Sequence, residues 1–277
     1  MDIAGLNVVD EVKMGMMLGA SDRESVLTRA RRMEESGLDS IWVGDHVAFH
    51  IPVIESLSLL AFCAAATERI ELATGVLLLP LRHPTLTAKM TGTIDLLSNG
   101  RLILGVGVGG EFPPEFNAVG SPIAERGPRT NEAIEILRAL WAEGKAGYEG
   151  EHFRFDPVKI EPKPIREGGP PIVVGGRKPI SMRRAGRLGD GYFPARDTPQ
   201  ERIDLAFRTA EEHGRDPDLI EITMPMPDDP KDIPKMAARG VDRIVVPVTN
   251  ASGLTALINN PDDALKFGDV IAQYGDI

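Results

Sequence analysis

The regular alternation between short apolar runs and longer amphipathic stretches constrains the fold of this chain most. Eight short runs have the length and composition of buried strands, and helical periodicity separates most of them. Strands that alternate with helices in this way pair in parallel, which predicts an α/β fold. The predicted strands are residues 13–18, 38–43, 70–76, 101–107, 171–175, 191–193, 220–224 and 243–248.

The predicted helices carry recognisable start and stop signals. The first begins at Ser21, with Glu24 three residues later as in a capping box, and ends before Gly37. The remaining helical patterns span residues 54–67, 84–97, 128–141, 179–188, 199–213, 231–239 and 261–274. Eight near-regular units in 277 residues favour a closed (β/α)8 TIM barrel over a doubly wound sheet. Because no linker divides the chain, we expect one domain over residues 1–277.

One long interval, residues 108–170, separates the fourth and fifth predicted strands. It contains a predicted helix and an alternating apolar and polar stretch at residues 148–160. This pattern predicts an insertion, either a hairpin or an irregular loop, over the barrel mouth.

Composition limits the compartment and the partners. The net charge of -10 disfavours binding to nucleic acid or to an anionic membrane surface. The one cysteine, Cys63, excludes an internal disulfide and fits a reducing compartment. No apolar run reaches the roughly 20 residues that span a bilayer, and the start lacks a signal-peptide pattern. We therefore expect a cytoplasmic protein without a membrane partner, and the scattered histidines and carboxylates predict no metal site.

Two dipeptides follow predicted strands directly, where a barrel places its active site. The first is Asp45-His46, after the second strand. An imidazole at this position can exchange protons near neutral pH, so both residues are candidate catalytic groups. In the alternative interpretation His46 is a core histidine and Asp45 caps the following turn.

The second dipeptide, Gly175-Gly176, is followed by Arg177, Lys178 and Pro179. Proline is favoured at the first position of a helix, so free N–H groups and the helix dipole would face this loop. The segment therefore predicts a phosphate site at Gly175, Gly176 and Arg177. The alternative is a tight turn with solvated basic side chains.

Residues 105–110 satisfy the pattern G-x-G-x-x-G after a strand, yet they do not indicate a Rossmann dinucleotide site. Two prolines, Pro113 and Pro114, stand where a pyrophosphate would need N–H donors. We expect instead that these glycines let a flat ring approach the backbone, which makes Val108 and Gly109 candidate cofactor contacts.

Several segments together resemble the bacterial luciferase-like superfamily of flavin and deazaflavin (coenzyme F420) oxidoreductases. The matching segments are residues 38–46, 72–76, 81–84, 95–101, 170–176 and 189–191. The resemblance implies a cofactor ring across the barrel mouth, with its phosphate near Gly175-Gly176. It also implies a non-proline cis peptide at Gly75-Val76 that backs the ring, so both residues are candidate cofactor contacts.

The same resemblance implies an activity. Residues 42–111 and the Gly175-Gly176 loop are similar to F420-using members, which move a hydride between the deazaflavin C5 and a small organic substrate. In that scheme His46 donates or accepts the proton, and Asp45 positions the cofactor or the histidine. One alternative is a two-component monooxygenase that uses FMN, O2 and a separate cofactor reductase, and another is a cofactor-binding protein without turnover. Family members commonly form homodimers, which we expect here.

One departure from the family pattern concerns the substrate. The sugar-phosphate dehydrogenase members have a glutamate directly after the G-x-G of the fourth strand, where this chain has Gly110. Glu111 follows one residue later and remains a candidate catalytic acid. Since the basic residues that bind the sugar phosphate also lack clear matches apart from Arg196, a sugar phosphate is disfavoured as the substrate.

Overall fold

The computed structural model describes residues 12–194, 196 and 198–247. The predicted helix at residues 261–274 lies outside this part of the chain. The strands are β1 (Lys13–Met17), β2 (Ser40–Val43), β3 (Glu71–Thr74), β4 (Leu77–Leu78), β5 (Leu102–Gly107), β6 (Ala146–Glu149), β7 (Arg154–Val158), β8 (Ile172–Gly175), β9 (Gly191–Phe193), β10 (Glu221–Pro225) and β11 (Arg243–Val246).

The helices lie between the strands, as the alternating sequence pattern predicts. They are α1 (Arg23–Glu35), α2 (Ser56–Ala66), α3 (Pro84–Leu97), α4 (Pro113–Ala118), α5 (Arg126–Trp141), α6 (Pro179–Leu188), α7 (Gln200–Glu212) and α8 (Ile233–Ala237). The first helix is capped by Asp22, whose side chain accepts a hydrogen bond from the Ser25 N–H. The capping box is therefore formed by Asp22 and Ser25, one residue after the predicted pair Ser21 and Glu24.

Eight of the strands form a closed barrel in which each pairs in parallel with its neighbours. The order around the barrel is β1, β2, β3, β5, β8, β9, β10 and β11, and β11 returns to pair with β1. The prediction of a (β/α)8 TIM barrel is confirmed. In the described residues no helix is both long enough and apolar enough to cross a membrane.

Inside the barrel, side chains from five strands pack into a central apolar cluster. Its buried members are Trp42, Ala73, Ile103, Val173 and Val245. Met17 and Phe193 pack against this cluster and are only partly buried, because they lie at the carboxyl ends of β1 and β9. The filled interior makes the barrel a solid support, and its open mouth lies at these strand ends.

The opposite end of the barrel contains an ionic network around the buried Arg243. Its guanidinium donates to Glu221 at 2.9 Å, to Glu71 at 2.8 Å and to the Ser40 hydroxyl at 2.7 Å. All four residues are the first of their strands, so the network lies at the amino-terminal end. Burial alone would raise the pKa of Glu221, but Arg243 outweighs this effect and holds it below the usual 4.5.

The insertion between the fourth and fifth barrel strands is an antiparallel hairpin of β6 and β7. Tyr148 donates to Glu135 at 2.6 Å, and the Glu132 carboxylate accepts the N–H groups of residues 151–153. Both glutamates belong to α5. The prediction of a hairpin is confirmed, and these hydrogen bonds hold the hairpin along α5.

Candidate active site

The floor of the barrel mouth contains the Gly75-Val76 peptide bond, which is cis as the family resemblance implied. This dipeptide interrupts the predicted strand 70–76, since β3 ends at Thr74 and β4 begins at Leu77. Two glycines leave space for the Val76 side chain. A Cβ on Gly107 or Gly175 would lie 2.5 or 2.8 Å from it.

The glycines of the G-x-G-x-x-G segment have different neighbours. Gly105 makes room first for the Thr74 carbonyl, which a Cβ would overlap, and Gly107 makes room for Val76. Val108 and Gly109 lie beyond them and are half-buried, at the mouth end of β5. Gly109 has a φ of +63°, and a Cβ there would lie 3.3 Å from Phe116.

The floor beside Gly75 is apolar. A Cβ on Gly75 would lie 3.1 Å from Trp42, 3.4 Å from Met17 and 3.6 Å from Phe193. The Trp42 and Phe193 rings meet edge to face, with their centroids 5.0 Å apart. Because Gly75 and Val76 are both only half-buried, this floor is accessible from the mouth. A flat, largely apolar ring system such as a flavin or deazaflavin fits a floor of this kind.

Asp45 is buried, and all the acceptor positions of its carboxylate are occupied. Arg82 donates two hydrogen bonds of 2.7 Å to its two oxygens. The Ser56 hydroxyl and the Leu78 N–H donate at 2.9 and 2.8 Å. The Asp45 carboxylate therefore makes no hydrogen bond to the His46 imidazole, and it holds Arg82 and the segment that follows Val76.

The carboxylate beside His46 is Glu115. Its oxygens lie 3.4 and 3.3 Å from the imidazole Nδ1, and one of them also accepts the Val47 N–H at 3.2 Å. The Glu115 side chain is completely buried. Phe49 stacks on the imidazole, with ring centroids 3.8 Å apart and planes inclined by 10°. Nε2 has no hydrogen-bond partner among the described residues. It is therefore the ring nitrogen that can form a hydrogen bond with a bound molecule.

Glu111, the acid proposed from sequence, is exposed to solvent. The short helix α4 begins at Pro113 and turns the chain so that Glu115 points inward to His46. Sequence reasoning used the prolines of this segment only to exclude a pyrophosphate site and did not weigh Glu115. The usable signal was the pair of prolines itself, because proline is favoured in the first turn of a helix.

The predicted phosphate loop follows β8. Gly176 has a φ of +130°, donates its N–H to the Phe193 carbonyl at 3.3 Å, and accepts the Tyr192 hydroxyl at 2.8 Å. A Cβ on Gly176 would lie 2.4 Å from the Ser181 hydroxyl, so the loop requires glycine. Gly175 is buried and faces Val76 instead of the mouth rim.

The N–H donors available to an anion come from the residues after Gly176. Helix α6 begins at Pro179 and has no side-chain cap. Within the described part of the chain, the N–H groups of Arg177, Lys178 and Ile180 donate no hydrogen bond. Uncapped N–H groups and the helix dipole together favour a negative charge, so this end of α6 fits a phosphate.

A comparison with protein-family models matches residues 5–227 to the luciferase-like monooxygenase family. The chain belongs to this family.

Individual relatives include several F420-dependent enzymes. The chain is 36% identical over 172 residues to the F420-dependent glucose-6-phosphate dehydrogenase of Kineococcus radiotolerans, covering 59% of this chain and 50% of that protein. It is 33% identical over 220 residues to the 5,10-methylenetetrahydromethanopterin reductase of Archaeoglobus fulgidus, covering 77% and 63%. The chain thus spans about half the length of the first relative.

Solved structures share the whole fold. An F420-dependent secondary alcohol dehydrogenase in complex with an F420-acetone adduct superimposes with a TM-score of 0.77 at 18% identity, covering 95% of this chain and 98% of that one. The monooxygenase RslO1 from Streptomyces bottropensis superimposes with a TM-score of 0.69 at 26% identity, covering 96% and 90%. Both likenesses support the barrel assignment.

Proposed function

We propose that this protein is an F420-dependent oxidoreductase that transfers a hydride between the deazaflavin and a small organic substrate. The observation that carries the proposal is an apolar floor at Gly75 and Val76 beside an imidazole whose Nδ1 is engaged by a buried carboxylate. Relatives named as F420-dependent at 35–36% identity favour the deazaflavin over FMN.

The residues that would hold the cofactor lie on two sides of the mouth. Gly75 and Val76 would lie beneath the ring, with Val108 and Gly109 at its edge. The amino-terminal end of α6, with Gly176 and Arg177, would bind the phosphate. Bound F420 supplies a carbon centre, C5, that gives or accepts a hydride.

In this proposal the protein supplies the proton. His46 uses Nε2 to donate or accept a proton at the substrate oxygen, while Glu115 holds Nδ1 and fixes the ring orientation. Phe49 covers one face of the imidazole and excludes water from it. Asp45 acts at a distance, since it holds Arg82 and the chain after Val76 in place.

The first test is a fluorescence titration of the protein with F420 and with FMN. We expect F420 to bind more tightly, and a substrate to reoxidise the reduced, bound cofactor or to reduce the oxidised form. Tight binding without any turnover across alcohol, aldehyde and enone panels would favour the non-catalytic alternative.

The second candidate function is an FMN-dependent two-component monooxygenase. Its support is the 26% identity to the monooxygenase RslO1. It predicts that the protein consumes oxygen when a separate reductase supplies reduced FMN. Oxygen uptake with FMN, together with weak F420 binding, would replace the first proposal by this one.

The role of His46 is tested by His46→Ala. Proton transfer by a placed side chain contributes about 10²- to 10⁴-fold to rate, so turnover should fall by that factor while cofactor binding stays within a few-fold. His213→Ala is the matched control, since His213 lies at the end of α7 and contacts the Thr209 carbonyl. Equal turnover in His46→Ala and wild type would leave His46 a structural residue.

We also propose a homodimer. Helix α3 exposes Leu86, Met90 and Leu97 along one stripe, and Phe62 of α2 is exposed as well. Such a face suits an isologous contact between two copies. Light scattering should give a dimer for wild type and a monomer for Leu86→Glu/Leu97→Glu, with exposed Leu219→Glu as the control. A monomeric wild type would contradict this proposal.

The cytoplasmic location also stays a proposal, which fractionation of the source cells would test.

A further inference from the structure

Two loops at the barrel mouth meet through aromatic side chains. The first loop, residues 46–54, lies between β2 and α2, and the second, residues 108–112, lies between β5 and α4. Phe112 of the second loop packs against Phe49 and His50 of the first, with ring centroids 6.0 and 4.8 Å apart. We call Phe49, His50 and Phe112 the aromatic wall.

The aromatic wall lies beside the proton-transferring group of the proposed mechanism. Phe49 stacks on the His46 imidazole, with the ring centroids 3.8 Å apart. Phe112 lies edge to face against Phe49 and His50, with its plane inclined by 82° and 78° to theirs. Aromatic rings prefer this edge-to-face geometry to a face-to-face sandwich. A molecule that reaches Nε2 of His46 therefore lies next to aromatic side chains.

The protein leaves part of this apolar surface uncovered. Phe49 and Phe112 are only half-buried, and His50 is exposed. Val47 and Ile51 of the first loop are 47% and 61% exposed. Apolar surface that stays open beside a polar reacting group is typical of a ligand site. The wall is thus available to the apolar part of a substrate.

The charges of the two loops disfavour an anionic substrate. Apart from Glu111, residues 46–54 and 108–112 contain no Asp, Glu, Lys or Arg. Glu111 is exposed next to Phe112, and Glu115 is buried beside the imidazole. Because negative charge already lies on this side of the mouth, a second anion there would be repelled. The site therefore favours a neutral molecule.

We propose that the aromatic wall selects a neutral substrate with a flat aromatic ring attached to the reacting carbon, as in an aryl ketone or its alcohol. This inference rests on the proposed function. In the direction of reduction, the carbonyl carbon accepts the hydride from the reduced deazaflavin, which is oxidised, and the carbonyl oxygen accepts the proton from His46 Nε2. The alcohol is the product, and the reverse reaction returns the hydride and the proton.

Phe112 is the member of the wall that determines specificity. Phe49 also covers the imidazole, so a change of Phe49 would alter proton transfer and substrate binding together. Phe112 contributes its ring from the other loop, and it contacts Phe49 and His50. Its replacement therefore tests substrate selection more cleanly.

The first test compares acetophenone with cyclohexyl methyl ketone, which share a carbon skeleton and differ in the aromaticity of the ring. The value of kcat/KM is measured for each ketone with reduced F420, and the ratio of the two values is compared between proteins. The ratio should fall about 2- to 10-fold in Phe112→Leu, because an aromatic pair contributes that much beyond its apolar area. The change should lie in KM, since the contact is made equally in the bound substrate and in the transition state.

The second test measures binding apart from turnover. Benzamide carries the ring and a carbonyl oxygen but is not reduced, and acetamide lacks the ring. In ligand-observed NMR with F420 present, wild type should bind benzamide at least about tenfold more tightly than acetamide, because the ring buries apolar surface. Benzoate, which is anionic, should bind more weakly than benzamide. Phe112→Leu should bind benzamide more weakly than wild type does.

Val119→Ala is the matched control. Val119 follows the last residue of α4, the helix that begins just after Phe112, and it is 39% exposed. This variant should keep the ketone ratio and the benzamide affinity of wild type. The melting temperature of Phe112→Leu should stay close to that of wild type, since leucine keeps most of the apolar volume.

Each contrary result has a distinct meaning. An unchanged ketone ratio in Phe112→Leu overturns the selection by the aromatic wall. Tighter binding of benzoate than of benzamide overturns the neutral substrate class and indicates Arg126, whose Nε lies 3.1 Å from the position of a Cβ on Gly110. Both results leave the proposed function intact, provided that ketones reoxidise the bound cofactor. If F420 does not bind, the proposed function is wrong and the substrate class fails with it.

Discussion

Replacement of Asp45 by asparagine tests whether the carboxylate network under the active site is needed for stability. In the folded protein the two oxygens of Asp45 accept four hydrogen bonds, two of them from Arg82. Asparagine keeps one oxygen and turns an NH2 group toward two of these donors. The variant therefore loses two hydrogen bonds and the negative charge opposite a largely buried guanidinium.

The magnitude follows from what Arg82 retains. Removing one partner of a buried ion pair costs about 3 to 5 kcal/mol, because the other charge is left uncompensated. Arg82 keeps Glu55 at 3.0 Å, and its own side chain is 15% exposed. We therefore expect Asp45→Asn to lower the free energy of unfolding by about 3 kcal/mol, the low end of that range.

The assay is urea unfolding followed by circular dichroism, with the free energy extrapolated to water. Asp22→Asn is the control, because Asp22 caps α1 at the surface and asparagine caps a helix equally well. Its loss should stay below about 0.5 kcal/mol. A loss below about 1 kcal/mol for Asp45→Asn, the range of an exposed pair, would refute the reasoning.

Three further predictions concern other charged groups. Arg243→Met should destabilise the protein by about 1.5 to 3 kcal/mol at neutral pH, because Glu71 and Glu221, whose side chains are 32% and 26% exposed, lose their hydrogen bonds to the buried guanidinium. The pKa of Glu221 lies below its usual 4.5, so the stability that Glu221 contributes is present above pH 4.5 and is lost as the pH falls through the pKa of the folded state. The free energies of unfolding of wild type and Arg243→Met, measured by urea titration, should converge at that low pH. Burial raises the pKa of Asp242 to about 6 from 3.8, so the stability of the protein falls as the pH rises between these values. Asp242→Asn should therefore be more stable than wild type by about 1 to 2 kcal/mol at pH 7 and equal to it near pH 4. No gain in stability at pH 7 would contradict the raised pKa. Glu115→Gln should lower kcat roughly tenfold, while the cofactor dissociation constant and the melting temperature change little. The reason is that the amide still accepts the Val47 N–H but holds the His46 imidazole less firmly. An unchanged kcat would show that Glu115 has no part in the mechanism.

The barrel was predictable from sequence because its strands are apolar on both faces and its helices repeat a clear period. Residues 171–175 and 191–193, for example, were placed within one residue of β8 and β9. The hairpin was also recognisable from its alternation, but its location was not. That location depends on Glu132 and Glu135 of α5, and nothing local shows that a helical glutamate will bind the N–H groups of a distant turn.

The candidate site was only partly predictable for a related reason. Strand-end position correctly brings His46 to the mouth, but it does not tell which carboxylate reaches the imidazole. Adjacent residues at a strand end point in different directions, so Asp45 turns toward Arg82 while His46 turns toward Glu115. Glu115 comes from a helix 69 residues later in the chain, and that contact is set by tertiary packing.

These two carboxylates together explain how the imidazole is held in position. The Asp45 carboxylate accepts hydrogen bonds from Ser56 and Arg82, and also from the Leu78 N–H, which lies just after the Gly75-Val76 floor. Glu115 binds the Val47 N–H and the imidazole on the other side. The backbone of His46 is thus anchored at the residue before it and at the residue after it, and one of these anchors also fixes the floor. Because a misplacement of about 1 Å can cost 10²-fold in rate, a loss at either carboxylate should slow turnover without any contact to the substrate. The proton-transferring group and the cofactor floor are therefore positioned by one connected network, and the barrel beneath it supplies the rigidity that neither loop has alone.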